Sequence, residues 1–226
     1  MKEEDVMLQN TYNLEEIKTD RLLLTPLDVK DVNRYIEIAK NMRMTKEKNP
    51  EYFLYVRFDY DSAKTDDDLK NAAMRLLASA GKSIFPEVTK RLNICLHDGN
   101  IIGYIGYLYN PQNEISSDLG IFLDPKYEHN GYALEAQKNL LAYYFLTIDD
   151  KIYLTIHPRN LPSYHLNTKC GAVKIGHTEN SKYGSERYIL VITRKKFIKA
   201  IFSKTFKTVQ GEKQFLLDYL RIYNEL

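Results

Sequence analysis

Apolar residues recur at helical spacing through one central segment of the chain. Polar residues separate them, and the apolar set is Ala133, Ala136, Leu140, Leu141, Tyr144, Phe145 and Ile148. Recurrence at every third or fourth residue predicts an amphipathic helix over about 131–148. A strand is predicted just before it, over about 115–123, and Gly131 closes the short polar loop between the two. A glycine lets the backbone turn tightly or approach a ligand closely at that point.

The strand, the polar loop and the helix start suggest a binding site made from the backbone. The first turn of a helix presents unpaired N–H groups, and these suit a phosphate. The alternative is an ordinary strand-to-helix connection that binds nothing. A single glycine does not decide between the two interpretations.

Other segments of the chain show the same two periodicities. Strands are predicted near 20–26, 91–97, 101–109, 152–157, 173–180 and 186–194, and helices near 29–40, 66–80 and 162–169. These elements predict an α/β protein with a mixed sheet. Two further apolar stripes, at 197–206 and 215–223, predict C-terminal helices. Either the domain itself or a second copy of the chain must cover these stripes, so a homodimer is one expectation.

Composition limits the class of protein but does not decide its function. The chain has 226 residues, of which 44% are hydrophobic and 27% are charged, enough for one sizeable core or two small ones. No segment has the apolar length of a membrane span, and the acidic N-terminus lacks the apolar core of a secretory signal. We therefore expect a cytoplasmic protein. Cys95 and Cys170 are expected to be free thiols, and no metal site is expected.

Basic residues crowd the last part of the chain. They are Arg194, Lys195, Lys196, Lys199, Lys204, Lys207 and Lys213, opposed there only by Glu212. Such a run could contact nucleic acid or a ribosomal surface. It is more often a solvated helix face, and we favour that interpretation because apolar residues alternate with the lysines.

Four sequence motifs follow one another in a recognisable order. They are Thr19-Asp-Arg-Leu22, Ile102-Gly-Tyr-Ile-Gly-Tyr107, the segment 118–136, and Asn160-Leu-Pro-Ser163 before Lys169-Cys-Gly-Ala172. In this order they resemble the GNAT superfamily of acyl-CoA N-acyltransferases. The similarity is closest to the branch that acetylates the N-terminal alanine of ribosomal proteins, and it covers roughly residues 14–197.

The resemblance implies a fold and a domain organisation. The expected fold is α/β (α+β mixed), with a mixed, largely antiparallel sheet that splays apart at the cofactor site, helices on both faces and extra C-terminal helices. The expected organisation is an N-terminal tail at 1–13, an acetyltransferase domain at 14–197 and a helical extension at 198–226. Within the domain, residues 41–89 are expected to determine substrate specificity.

The resemblance also implies an activity and a cofactor site. The expected activity is transfer of an acetyl group from acetyl-CoA to a primary amine of a protein N-terminus or a small molecule, by direct attack. The strand residues expected beside acetyl-CoA are Ile121, Phe122 and Leu123, with a backbone N–H near Phe122 polarising the carbonyl. The loop residues expected at the diphosphate are His129, Asn130, Gly131, Tyr132 and Ala133. Asn160 and Ser163 are expected at the pantetheine arm, although both also suit the capping of a helix start.

Two residues are expected to carry proton transfer. Asp118 is the leading candidate for the base, because relatives often carry an acidic residue at this place; a surface carboxylate is the alternative, and Glu114 is a second choice. Many GNAT enzymes place a tyrosine as the acid where this chain has Asn167. Ser163 is favoured as the acid because it matches the pattern of the branch. Tyr164, His165 and His157 are the other candidates.

The chain also departs from the family pattern in its loop. Glu128 places a carboxylate where the family has a neutral or cationic residue, close to an anionic ligand. His129 replaces a glycine, so a left-handed backbone there would be strained. Together with Asn167, these departures suggest an alternative function: a coenzyme-binding or partner-binding module whose catalysis has decayed.

Overall fold

The computed structural model describes residues 15–49, 65–78, 88–113, 118–179 and 186–224. The strands are β1 (Ile17–Lys18), β2 (Leu22–Pro26), β3 (Val88–Leu96), β4 (Ile101–Tyr109), β5 (Asp118–Leu123), β6 (Lys151–Ile156), β7 (Val173–Thr178) and β8 (Arg187–Thr193). The helices are α1 (Val32–Lys48), α2 (Asp66–Ala78), α3 (Tyr132–Thr147), α4 (Leu161–Lys169), α5 (Arg194–Phe202) and α6 (Val209–Arg221). Single 3₁₀ turns at Val29–Asp31 and Pro125–Tyr127 complete the set. The predicted α/β class is confirmed.

The strands form two sheets that separate at the predicted place. One sheet has the order β1-β2-β3-β4-β5 and the other has the order β6-β8-β7. Every described strand pair is antiparallel. β5 and β6 are in contact, but no ladder joins them in the described ranges. The predicted splay is therefore a complete division of the sheet between β5 and β6.

Helices cover both faces of the five-stranded sheet, and β5 shows how its residues divide between them. Leu119, Ile121 and Leu123 pack in the core that contains α3, α5 and α6. Phe122 packs in the core that contains α1 and α2. Because side chains alternate along a strand, Asp118 and Gly120 share the Phe122 face. The predicted base and the glycine therefore lie on the α1–α2 side.

The C-terminal helices are covered by the domain itself. The apolar stripe of α6 is buried in the same core as α3, through Leu216, Leu217 and Leu220. Tyr219 Oη donates to Asn139 Oδ1 on α3 at 2.9 Å. Asn224 accepts from Lys18 N at 2.8 Å and donates to Lys18 O at 3.2 Å, which satisfies the backbone of β1. The first of the two expectations for these stripes is correct.

One member of the basic run is not solvated. Arg194 is buried, and its Nε lies 3.0 Å from Glu212 Oε2 on α6. Arg194 Nη1 also donates to Phe145 O on α3 at 3.3 Å. The prediction of a solvated face was thus wrong for Arg194, whereas Lys195 and Lys196 are exposed on α5.

Within the described residues, no helix combines the length and the apolar character needed to cross a membrane.

Candidate active site

The loop between β5 and α3 has an unusual backbone. His129 has φ +61° and Gly131 has φ +80°, so both lie in the left-handed region. The sequence indicated that a left-handed backbone at His129 would be strained; the structure has that conformation, which costs about 1 kcal/mol or more and persists only where the surroundings hold it. Left-handed residues next to a helix start turn successive N–H groups toward one side, which makes a concave site for an anion.

The start of α3 has no side-chain cap. Gly131 occupies the N-cap position and makes no side-chain hydrogen bond there. By contrast, Asn160, Thr193 and Thr208 accept hydrogen bonds from backbone N–H groups at the starts of α4, α5 and α6. No side chain therefore caps the start of α3, and unpaired amides at a helix start suit an anion such as a phosphate group.

A buried carboxylate fixes the start of this loop, directly after β5. Asp124 has 0% exposed surface, and its Oδ2 accepts from Arg34 Nη2 and Asn41 Nδ2, both at 3.0 Å. Its Oδ1 accepts from Lys126 N at 3.1 Å, which caps the 3₁₀ turn. Asp124 therefore ties the end of β5 to α1. The sequence did not reveal this role.

An ion pair fixes the end of the loop, where α3 begins. Glu135, in the first turn of α3, accepts from Arg21 Nε at 2.7 Å, from Arg21 N at 2.8 Å and from Thr19 Oγ1 at 2.6 Å. Burial alone would raise the pKa of Glu135, but these hydrogen bonds from Thr19 and Arg21 outweigh it and lower the pKa. Thr19 and Arg21 belong to the first sequence motif, but the sequence alone indicated no role for either side chain.

The edge of β5 presents backbone groups to the gap. Asp124 N donates to Ile102 O at 2.7 Å, which makes these two residues a hydrogen-bonded pair. Such pairs alternate along an antiparallel ladder, so Phe122 directs its N–H to Tyr104 on β4. The amides of Ile121 and Leu123 then point away from β4, toward β6. Among the amides near Phe122, those of Ile121 and Leu123 are therefore the ones directed to the gap, and the contact with the carbonyl stays a prediction.

Among the described residues, none lies close over Gly120 on the α1–α2 side of β5. A Cβ added at Gly120 would meet no atom within 4 Å. Asp118, two residues earlier, is half-buried, and its Oδ1 accepts from Leu119 N at 3.0 Å. Glu114 and much of the 41–89 segment lie outside the described residues. The role of Asp118 as base stays a prediction.

The start of α4 shows how Asn160 and Ser163 are used. Asn160 Oδ1 accepts from Ser163 N at 3.2 Å, so the capping interpretation is confirmed. Ser163 is half-buried, and its Oγ lies 3.4 Å from Asn167 Nδ2. The contacts of both residues with a coenzyme, and the role of Ser163 as acid, stay predictions.

Asn167 is a structural link in this protein. It is 3% exposed, and its Oδ1 accepts from Gln137 Nε2 on α3 at 3.0 Å. Its Nδ2 donates to Ser163 O at 2.9 Å. Its Oδ1 therefore links α4 to α3, whereas its Nδ2 bonds within α4.

His157 lies directly after β6, beside the gap. Burial and the nearby Arg187 guanidinium lower its pKa, so the imidazole is favoured in its neutral form. Its Nδ1 accepts from Arg159 N at 3.2 Å. Cys95 and Cys170 are buried free thiols, and among the described residues no cluster of three or more His, Cys, Asp or Glu side chains could hold a metal ion.

Comparisons with known proteins agree with this geometry. Residues 21–173 match the profile of the family described as acetyltransferase (GNAT) domain. The chain is similar to YnaD of Bacillus subtilis, an uncharacterized N-acetyltransferase, with 27% identity over 161 residues that cover 71% of this chain and 84% of YnaD.

Two solved structures have the same fold. A GNAT-family acetyltransferase from Bacillus anthracis has 22% identity and a TM-score of 0.59, and the match covers 79% of this chain and 98% of that one. RimL, a ribosomal L7/L12 α-N-protein acetyltransferase bound to coenzyme A, has 13% identity and a TM-score of 0.61, with coverage of 79% and 98%.

The divided antiparallel sheet, with the left-handed loop beside the division, thus has the fold of these solved acetyltransferases. The family match covers well over half of the chain. This protein belongs to the GNAT acetyltransferase family and is an acetyltransferase.

Proposed function

We propose that this protein transfers an acetyl group from acetyl-CoA to a primary amine by direct attack of the amine on the thioester. The observation that carries the proposal is the uncapped, left-handed loop at Gly131 beside the gap between β5 and β6. The coenzyme A bound to RimL supports the choice of acetyl donor.

The residues of this chain divide the work as follows. Backbone amides from His129 to Ala133 bind the diphosphate. The Ile121 and Leu123 amides bind the pantetheine arm and polarise the thioester carbonyl, because a donor aimed at developing negative charge stabilises the transition state. Asp118 removes a proton from the attacking amine, directly or through water; as the C–N bond forms and the C–S bond breaks, Ser163 donates a proton to the leaving thiolate.

The acceptor amine lies over Gly120. This glycine is exposed on the α1–α2 side, and no described atom lies within 4 Å of a Cβ added there. The amine belongs to a protein N-terminus or to a small molecule, and the likeness to RimL supports the former at the level of the fold.

A second function is favoured by three residues that depart from the family pattern. Asn167 is committed to holding α4 against α3, and Glu128 and His129 depart from the usual loop. These features suit a coenzyme-binding module without turnover.

Titration and transfer assays separate these functions. Calorimetry with acetyl-CoA and with coenzyme A tests binding, and a thermal shift checks it, because a ligand at 100 times its Kd stabilises the folded state by about 2.7 kcal/mol. Release of free thiol is then measured with a panel of peptides and small amines. Binding with transfer supports the enzyme, and binding without transfer to any acceptor supports the module. Absence of heat with both ligands would contradict both functions.

A further inference from the structure

Arg21 contacts three residues of the coenzyme loop, by which we mean residues 124–131 between β5 and α3, and of the first turn of α3. From the turn between β1 and β2, its Nη1 donates to Asn130 O at 3.1 Å. Its guanidinium lies 4.7 Å from the ring centre of Tyr132. Nε and Nη2 both lie 2.7 Å from Glu135 Oε2.

These contacts surround the strained part of the loop. Asn130 lies between the two left-handed residues, His129 and Gly131, and a bond to its carbonyl fixes the peptide unit between Asn130 and Gly131. A non-glycine residue keeps a left-handed conformation only when its surroundings over-determine it. Asn130 Nδ2 adds a bond to Glu128 O at 2.9 Å, which closes the loop from within.

The contribution of Arg21 comes from geometry more than from net charge. Glu135 lies against the guanidinium and offsets its positive charge, so the pair is close to neutral beside the loop. The planar guanidinium presents several N–H donors in a fixed arrangement, and a lysine ammonium cannot reproduce them. Replacement of Arg21 by lysine therefore keeps the charge and removes the geometry.

We propose that Arg21 is a positioning residue for coenzyme binding, which holds the loop amides in the direction that the diphosphate needs. This inference rests on the proposed function. It assigns Arg21 an effect on the part of the donor that carries phosphate, and no effect on the acetyl-pantetheine arm, which lies along β5.

The test compares two acetyl donors. S-acetyl-pantetheine lacks the diphosphate and the nucleotide, whereas acetyl-CoA carries both. For Arg21→Lys we expect the KM for acetyl-CoA to rise about tenfold, the order of effect of losing charge-assisted hydrogen bonds, while kcat changes less than about twofold. The kcat/KM for S-acetyl-pantetheine should stay at the wild-type value.

Two further variants complete the test. Glu135→Gln keeps the shape of the side chain and removes its charge. It should therefore also lower kcat/KM for acetyl-CoA relative to kcat/KM for S-acetyl-pantetheine. It also decides the question if Arg21→Lys does not fold. Arg221→Lys makes the same chemical change on the exposed surface of α6 and should change neither donor's kinetics.

Each result has one meaning. An equal loss with both donors would show a general structural role and would overturn the inference, as would unchanged kinetics in Arg21→Lys and Glu135→Gln. If the wild-type protein gives no heat with acetyl-CoA, the proposed function fails first. If the wild type binds acetyl-CoA and transfers its acetyl group, but the variants leave the ratio of kcat/KM between the two donors unchanged, the inference alone fails.

Discussion

Arg34 Nη2 lies 3.0 Å from Oδ2 of Asp124, whose side chain has no exposed surface. The remaining bonds of this guanidinium reach Ile101 O at 2.7 Å and Glu37 at 2.9 Å. The pair joins α1 to the end of β5, where the coenzyme loop begins. The position of that loop therefore depends on the Asp124 carboxylate, which solvent does not reach.

We expect Arg34→Met to destabilise the fold by about 3 kcal/mol, because it leaves a buried carboxylate without its cation. Urea unfolding measures the loss. Lys40→Met is the matched control, since Lys40 pairs with Asp66 at 2.7 Å but both side chains are exposed. That control should lose less than about 1 kcal/mol. Equal losses in the two variants would show that burial of Asp124 has no energetic importance.

Gly120→Val should abolish acetyl transfer and leave the fold intact. A Cβ at Gly120 meets nothing within 4 Å, so the new side chain would occupy the space that we assign to the acceptor. Coenzyme binding, measured by calorimetry, should be unchanged. Gly103→Ala is the contrasting variant, because its Cβ would lie 2.0 Å from Phe122 O and the strands would have to separate. Normal transfer by Gly120→Val would place the acceptor elsewhere.

Asp118→Asn should lower kcat by about 10²-fold or more, since general-base catalysis contributes on that order. Its Kd for coenzyme A should stay unchanged, because Asp118 lies on the face of β5 opposite the α3 core. Asp218→Asn, an exposed change on α6, should behave as wild type. Turnover at the wild-type rate in Asp118→Asn would remove this residue from the mechanism.

The stability provided by Glu135 should depend on pH in a defined direction. Its pKa in the folded protein is lowered from the ordinary 4.5, so the folded state binds a proton less readily than the unfolded chain. The contribution is then fully present above about pH 5 and is lost as the pH falls through the folded pKa. Urea unfolding of the wild type and of Glu135→Gln should show the largest difference in free energy near pH 7. The difference should shrink below pH 4.5, and a constant difference across this range would contradict the assignment.

The segments with clear periodicity could be predicted from the sequence. The helix at Tyr132–Thr147 and the strand before it followed from apolar spacing, and Gly131 marked the turn between them. β1 was not predicted, because two residues cannot display an alternation. The apolar stripe at 197–206 continued past the true end of α5, where Ser203 adopts φ +55° and ends the helix. Phe206 instead packs against Phe215 of α6.

The supports of the site could not be predicted, because they join distant parts of the chain. Arg21 and Glu135 are 114 residues apart, and Asp124 and Arg34 are 90 apart. Such pairs leave no periodic signal, since each member looks like an ordinary surface charge in its own segment. Asn167 could be recognised from the sequence as a departure from the family. Its hydrogen bond with Gln137 could not, because that bond depends on how α4 packs against α3.

The division between β5 and β6 has a mechanical consequence. In the described ranges every other pair of neighbouring strands is held by a backbone ladder, and sliding or spreading such a pair breaks several hydrogen bonds. Spreading the two half-sheets at their division breaks no described ladder, and it is resisted by side-chain packing in the core around α3. The least costly deformation of this backbone therefore occurs at the place where donor and acceptor are proposed to meet.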